Sequence, residues 1–97
     1  MKLEFTVSAA LDLESISDWI AQDNPKRALS FVQELKLACI GLVDFPLSQP
    51  LVPRYEARGI RRKVHGGYLI FYTVNADVVT IVHILNGAQD YEAVLFF

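Results

Sequence analysis

The hydrophobic pattern changes period twice along the chain. Lys2 to Val7 alternates, with Leu3, Phe5 and Val7 set against Lys2, Glu4 and Thr6, which predicts a short half-buried strand. From Ser8, the expected N-cap, the apolar residues Ala9, Ala10, Leu13, Ile16, Trp19 and Ile20 fall at helical spacing. Asp12 and Glu14 lie early in that helix, where its dipole favours anions. Asp23-Asn24-Pro25 stops it near Gln22 and starts the next helix, with Asn24 as cap and Pro25 at the first helical position. The second helix carries Ala28, Phe31, Val32, Leu35, Ala38, Cys39 and Leu42 on one side and runs out by Asp44-Phe45-Pro46. So short a connection predicts an antiparallel helical hairpin.

Three prolines between Pro46 and Pro53 enforce an extended loop. Beyond it, Gly59 to Asn86 reads as three consecutive strands. Gly66-Gly67 suits a primed hairpin turn and Asn75-Ala76-Asp77 supplies the second turn. Tyr68 to Val74 and Val78 to Leu85 are almost wholly apolar, so both strands belong deep in the sheet. The segment from Gly87 fits a turn and a short helix, with Tyr91, Val94, Leu95 and Phe97 partly at helical spacing. The expected fold class is α+β: an N-terminal strand, an antiparallel helix hairpin, a three-stranded antiparallel meander (β-α-α-β-β-β) and a short C-terminal segment. Trp19, Phe31, Phe71 and Tyr72 lie on apolar faces and are expected in the core.

Ninety-seven residues suffice for one domain, 1–97, and 53% hydrophobic against 21% charged residues describes a globular chain rather than a disordered tail. No run approaches the roughly 20 apolar residues of a membrane span, and the start lacks a signal peptide's apolar core. The single Cys39 excludes an internal disulfide and a cysteine zinc site, and reads as a small buried residue. A cytoplasmic location is the expectation.

Charge is unevenly spread. Between Arg54 and His65 lie five cations (Arg54, Arg58, Arg61, Arg62, Lys63) and one anion, Glu56, so this stretch carries +4 while the whole chain is −2. Two readings fit: an anionic partner for the strip, or a charged strand that keeps the sheet soluble. Arg61-Arg62-Lys63 puts adjacent cations on both faces of a strand, so at least one needs a partner or an opening to water.

There is no glycine-rich phosphate loop, Gly-x-Ser-x-Gly or metal-spaced histidine cluster, so neither a cofactor nor a metal is expected. A metal-free nuclease needs a base, an acid and cations for the developing phosphorane charge. Arg61, Arg62, Lys63, His65, His83 and Tyr91 contain those chemical types. Equally, His83 fits a satisfied core or edge histidine and Tyr91 a packing residue.

Several motifs resemble the ParE branch of the RelE/ParE toxins of bacterial toxin–antitoxin pairs. They are Ala9 with Asp12-Leu13-Glu14-x-Ile16, Asn24-Pro25-x-x-Ala28, Pro53-Arg54-Tyr55, Gly59-Ile60-Arg61, Gly67 to Tyr72, and Ile84 to Asp90. The resemblance implies a RelE/ParE-like fold and a small toxin held inactive by a cognate antitoxin. ParE-like toxins are known as inhibitors of DNA gyrase, whereas RelE-like relatives cleave messenger RNA on the ribosome. The Gly-Tyr-Arg common in the RelE-like hairpin is here Gly67-Tyr68-Leu69, and Gly87-Ala88 replaces the basic pair after their last strand. The expectation is therefore a gyrase inhibitor without catalytic residues and without sequence-specific nucleic-acid binding. Its target would meet Arg58, Arg61, Arg62, Lys63, His65 and Tyr91, or the chain's C-terminal end. The alternatives are a ribosome-dependent endoribonuclease using Arg61, Arg62, His65, His83 and Tyr91, or a non-toxic member that retains antitoxin binding.

Overall fold

Gly66 and Gly67 close the first hairpin with φ of 53° and 82°, the left-handed region that glycine enters without steric cost. They join β2 (Arg61–His65) to β3 (Tyr68–Asn75). The second hairpin is tighter than the polar triplet suggests: Asn75 still pairs with Val78, so only Ala76 and Asp77 turn before β4 (Val78–Asn86). The N-terminal strand β1 (Lys2–Phe5) runs parallel to β4, from Lys2 opposite Val78 to Phe5 opposite Ile81. The resulting order is β1-β4-β3-β2, a mixed sheet with β4 and β3 in its interior. The computed structural model describes residues 1–95; Phe97, counted above among the apolar C-terminal residues, lies outside them.

The first helix, α1 (Val7–Ala21), begins earlier than its spacing suggests, because Thr6 and not Ser8 is its N-cap. Thr6 N–H donates to the Ile81 carbonyl (3.0 Å) and its hydroxyl to the Val82 carbonyl (2.7 Å), while Oγ1 accepts from Ala9 N–H (3.0 Å). One residue thus ends the strand ladder and caps the helix, so β1 stops at Phe5 and not at Val7. The second helix, α2 (Pro25–Gly41), starts as expected, with the Asn24 side chain accepting from Arg27 N–H (3.1 Å).

Alternation along β3 sorts its side chains between two cores. Ile70 and Tyr72 join Val79, Ile81 and Ile84 under the helical hairpin, against Leu13, Ile16, Phe31, Leu35, Cys39 and Leu42. Leu69, Phe71 and Leu85 face the other way. They pack with Val52, Tyr55 and Ile60 of the connecting loop and Leu95 of the short helix α3 (Tyr91–Leu95). The proline-rich segment runs beside β2 for two residues: Leu51 bridges Arg61, Arg62 N–H donates to the Pro50 carbonyl (3.1 Å), and Val52 N–H donates to Ile60 (2.8 Å). The Tyr72 hydroxyl reaches back to the Pro46 carbonyl (2.8 Å), holding the loop at its start.

Phe31, Phe71 and Tyr72 are buried as their spacing predicts, but Trp19 is 69% exposed. Leu13 and Ile16 form the stripe that meets the sheet. Trp19 sits at the flank of that stripe, beyond the edge of β4, where it walls a groove with Tyr68, Ile84 and Leu85 instead of filling the core.

The double use of Thr6 is testable. Thr6→Val keeps the shape but loses the cap and the bond to Val82, and should lower unfolding free energy by roughly 1–2 kcal/mol in urea titration. Ser8→Ala should change it by less than about 0.5 kcal/mol. A second outcome concerns pH. Burial pushes the Cys39 thiol up to about 12 and raises the Tyr72 phenol. The unfolded chain releases those protons at ordinary values, between about 8.5 and 10, while the native protein retains them. Their contribution to stability is therefore intact below that range and lost as pH rises through it. The urea midpoint should fall from pH 8 to 11, with Cys39→Ala removing part of the slope.

Candidate target-binding surface

The basic strip lies on the outer strand, and register divides it. Arg61, Lys63 and His65 oppose Tyr72, Ile70 and Tyr68, so they share the face that carries the helices. Arg62 and Val64 oppose Phe71 and Leu69 on the reverse face. The expectation of cations on both faces holds, and the structure supplies partners. Arg61 Nη1 donates to the carbonyls of Gln49 (2.7 Å) and Leu47 (3.4 Å), which fastens the proline-rich loop to the strand.

His65 stands at the hairpin turn with its Nε2 3.6 Å from Glu34 Oε1 and its ring 6.0 Å from that of Phe31. Glu34 is paired more closely with Arg27, whose guanidinium also lies over Phe31, 5.0 Å from the ring centre. Hydrogen bonding from Arg27, with a smaller part from His65, holds the Glu34 carboxyl below the usual carboxylate range. This end of the strip is thus an exposed, nearly neutralised cluster.

On the reverse face Arg58 closes the 3-10 turn Glu56–Arg58 and donates through Nη1 to the Leu95 carbonyl (2.7 Å) at the end of α3. Arg54 lies 3.5 Å from Glu92. Tyr91 packs its ring 5.1 Å from Phe71. His83 lies on β4 opposite Phe71, and its Nδ1 donates to Asp12 Oδ2 (2.8 Å). The same oxygen accepts from Ile84 N–H (3.0 Å). With Nδ1 engaged, the ring lines a cavity of about 200 Å³ with Ser8, Arg58, Val82 and Leu95.

The sequence-derived residues therefore separate into two groups. Arg61, Lys63 and His65 lie under the hairpin side; Arg58, Arg62, His83 and Tyr91 lie on the other. His65 and His83 occupy strands separated by β3, two spacings or about 10 Å across the sheet, and point to opposite faces. They are offset along it as well, because His65 is level with Asn86. Within the second group the fully buried Phe71 stands between Arg62 and His83. Of the positions where the resemblance puts cations in RelE-like toxins, Leu69 is buried, whereas Gly87 and Ala88 are exposed. Leu69 is a core residue. Gly87 N–H bonds the Gly67 carbonyl (2.8 Å), and a Cβ there would lie 3.1 Å from that oxygen.

Sequence reading assigned Asp12 to the helix dipole and missed its role as partner of His83 and of the β4 edge. Its position beside the apolar stripe, one residue before Leu13, was the available signal. Among the described residues no group of three or more His, Cys, Asp or Glu is placed to hold a metal ion, and no helix is long and apolar enough to cross a membrane.

A helical hairpin laid on this sheet order is a ParE-like toxin architecture. The family model "ParE toxin of type II toxin-antitoxin system, parDE" matches residues 3–91. The chain belongs to that family. A solved chain from the chromosomal ParDE toxin–antitoxin system of P. aeruginosa superposes with a TM-score of 0.75 at 25% identity, covering 89% of this chain and 95% of that one. A conserved hypothetical protein of Helicobacter pylori overlaps at a TM-score of 0.48 and 14% identity, over 92% of this chain and 97% of its own. No curated protein matches the sequence.

Asp12 should matter more to stability than any residue of the strip. Asp12→Ala leaves Ile84 N–H without its carboxylate and frees His83, and should cost roughly 2–3 kcal/mol by urea unfolding. His65→Ala, at an exposed pair, should cost less than about 1 kcal/mol.

Proposed function

We propose that this protein is a cytoplasmic toxin that binds DNA gyrase, breaks no bond itself, and is neutralised by a cognate antitoxin. The observation that carries this reading is the distribution of chemistry-bearing groups. A ribonuclease of the metal-free kind needs its base, its acid and several cations around one scissile phosphate. Here the cations fall on two faces, one is bound to loop carbonyls, and Leu69, Gly87 and Ala88 offer no cation where the resemblance puts them in the RNA-cutting relatives. Binding needs only an exposed surface, and Arg58, Arg62 and Tyr91 with the neighbouring Lys63 and His65 border the outer strand and the C-terminal helix. The family supports the pairing with an antitoxin, and the −6 carried outside the basic strip suits basic residues on that partner.

Expression of the chain without its antitoxin should arrest growth and accumulate gyrase-cleaved plasmid while messenger RNA stays intact. Combined charge reversal at Arg62 and Lys63 should raise survival at least ten-fold. Site-specific mRNA cuts in a purified translation system, abolished by His65→Ala, would establish the endoribonuclease in its place. Normal growth at full soluble expression would identify a non-toxic member.

A further inference from the structure

Thr6 takes over the capping that local rule offers to Ser8, and the Ser8 side chain is left on the wall of a cavity of about 200 Å³. The cavity lies between the start of α1, β4 and α3. Val82, Val94 and Leu95 give it apolar walls, while Arg58, His83 and Ser8 each bring a polar group to it.

The fold leaves hydrogen-bonding capacity on all three. Arg58 donates through Nη1 to the Leu95 carbonyl (2.7 Å), which takes one of a guanidinium's five N–H donors. It forms no ion pair among the described residues, so its charge is uncompensated. His83 gives Nδ1–H to Asp12 (2.8 Å), which fixes the tautomer and makes Nε2 an acceptor. Asp12 is not part of the cavity wall, so the ring meets the cavity on its Nε2 side. Among the described residues Nε2 has no partner. The cavity therefore offers a cation, a hydroxyl and a lone pair around one small space.

That combination selects its ligand. The guanidinium asks for negatively charged oxygens, whereas Nε2 asks for a proton donor. An oxyanion without a proton sets lone pair against lone pair at Nε2. A volume below the roughly 300 Å³ at which drug-sized pockets begin suits an ion of a few heavy atoms.

We propose that this cavity binds a small oxyanion that carries its own hydroxyl, of the hydrogen phosphate or bicarbonate kind. The ligand's O–H donates to His83 Nε2, its charged oxygens accept from Arg58, and the Ser8 hydroxyl donates to a remaining oxygen. Asp12 is a positioning residue that holds the imidazole in the accepting tautomer. Sulfate, which has no proton to give at neutral or alkaline pH, is the discriminating competitor.

Arg58 also belongs to the surface assigned above to the target, so the test reads ion binding and not growth. Phosphate, bicarbonate and sulfate are titrated separately into the full chain at pH 8 and constant ionic strength, with binding followed by calorimetry. Phosphate, bicarbonate or both should bind saturably at one site with a Kd of about 1 mM or tighter. Sulfate should bind at least ten-fold more weakly, and the tighter of the two protonated ions identifies the occupant. Arg58→Met should weaken that binding at least ten-fold. Ser8→Ala, whose stability should barely change, should weaken it at least three-fold, and urea unfolding confirms that each variant is folded. Absence of saturable binding, less than ten-fold discrimination against sulfate, or affinity that survives either substitution overturns the proposal. If Arg58→Met does not fold, Ser8→Ala and the comparison with sulfate decide it.

Discussion

The edge of β4 beyond β1 is the constraint on which the molecule turns. β1 covers only Val78 to Ile81, and the next residues of β4 would present unpaired backbone groups at the border of the main core. Buried backbone donors and acceptors left without partners cost as much as the hydrogen bonds they lack. α1 removes that cost with two side chains: Thr6 takes the Val82 carbonyl and Asp12 takes Ile84 N–H. The helix is thereby fixed in position along the strand as well as packed against it. Leu13 and Ile16 follow onto the sheet from that attachment, and the pairing of α1 with α2 places Phe31, Leu35 and Cys39 over β3.

The same attachment explains why the two histidines differ. His83 is tied into the α1–β4 seam by the carboxylate that also serves the backbone, so its imidazole is part of the scaffold. His65 is at the far corner of the sheet, beside Glu34 and Phe31, where its ring is partly open to water. The bulge at Phe71 and Tyr72 lets Val82 fall out of the antiparallel ladder and meet Thr6, so an irregularity inside the meander serves the parallel strand outside it.

A scaffold with two apolar layers leaves little of its surface to chemistry. The reverse face is filled by Leu69, Phe71 and Leu85, with the ring of Tyr91 against Phe71. The outer strand carries a half-buried basic strip, while Val7, Leu11 and Trp19 leave apolar side chains exposed along α1.

Element identity and order were legible in the sequence because each depends on neighbours a few residues apart. Asn24-Pro25 starts α2, Gly66-Gly67 turns the first hairpin, and the apolar runs of β3 and β4 place both strands deep in the sheet. The division of Arg61, Arg62 and Lys63 between faces was also legible, since a strand alternates whatever its partner. Tertiary structure alone decided the rest. Ser8 and Thr6 are both good caps by local rule, and the Val82 carbonyl, seventy-six residues from Thr6, selects between them. Asp12 fits a helix dipole as well as a strand edge until β4 arrives beside it. Trp19 follows the helical spacing of core residues, but the sheet ends before it reaches that turn. The order β1-β4-β3-β2, the partners of Arg61 and the separation of His65 from His83 are all set by which strand lies next to which, and periodicity along a single segment carries no information about that.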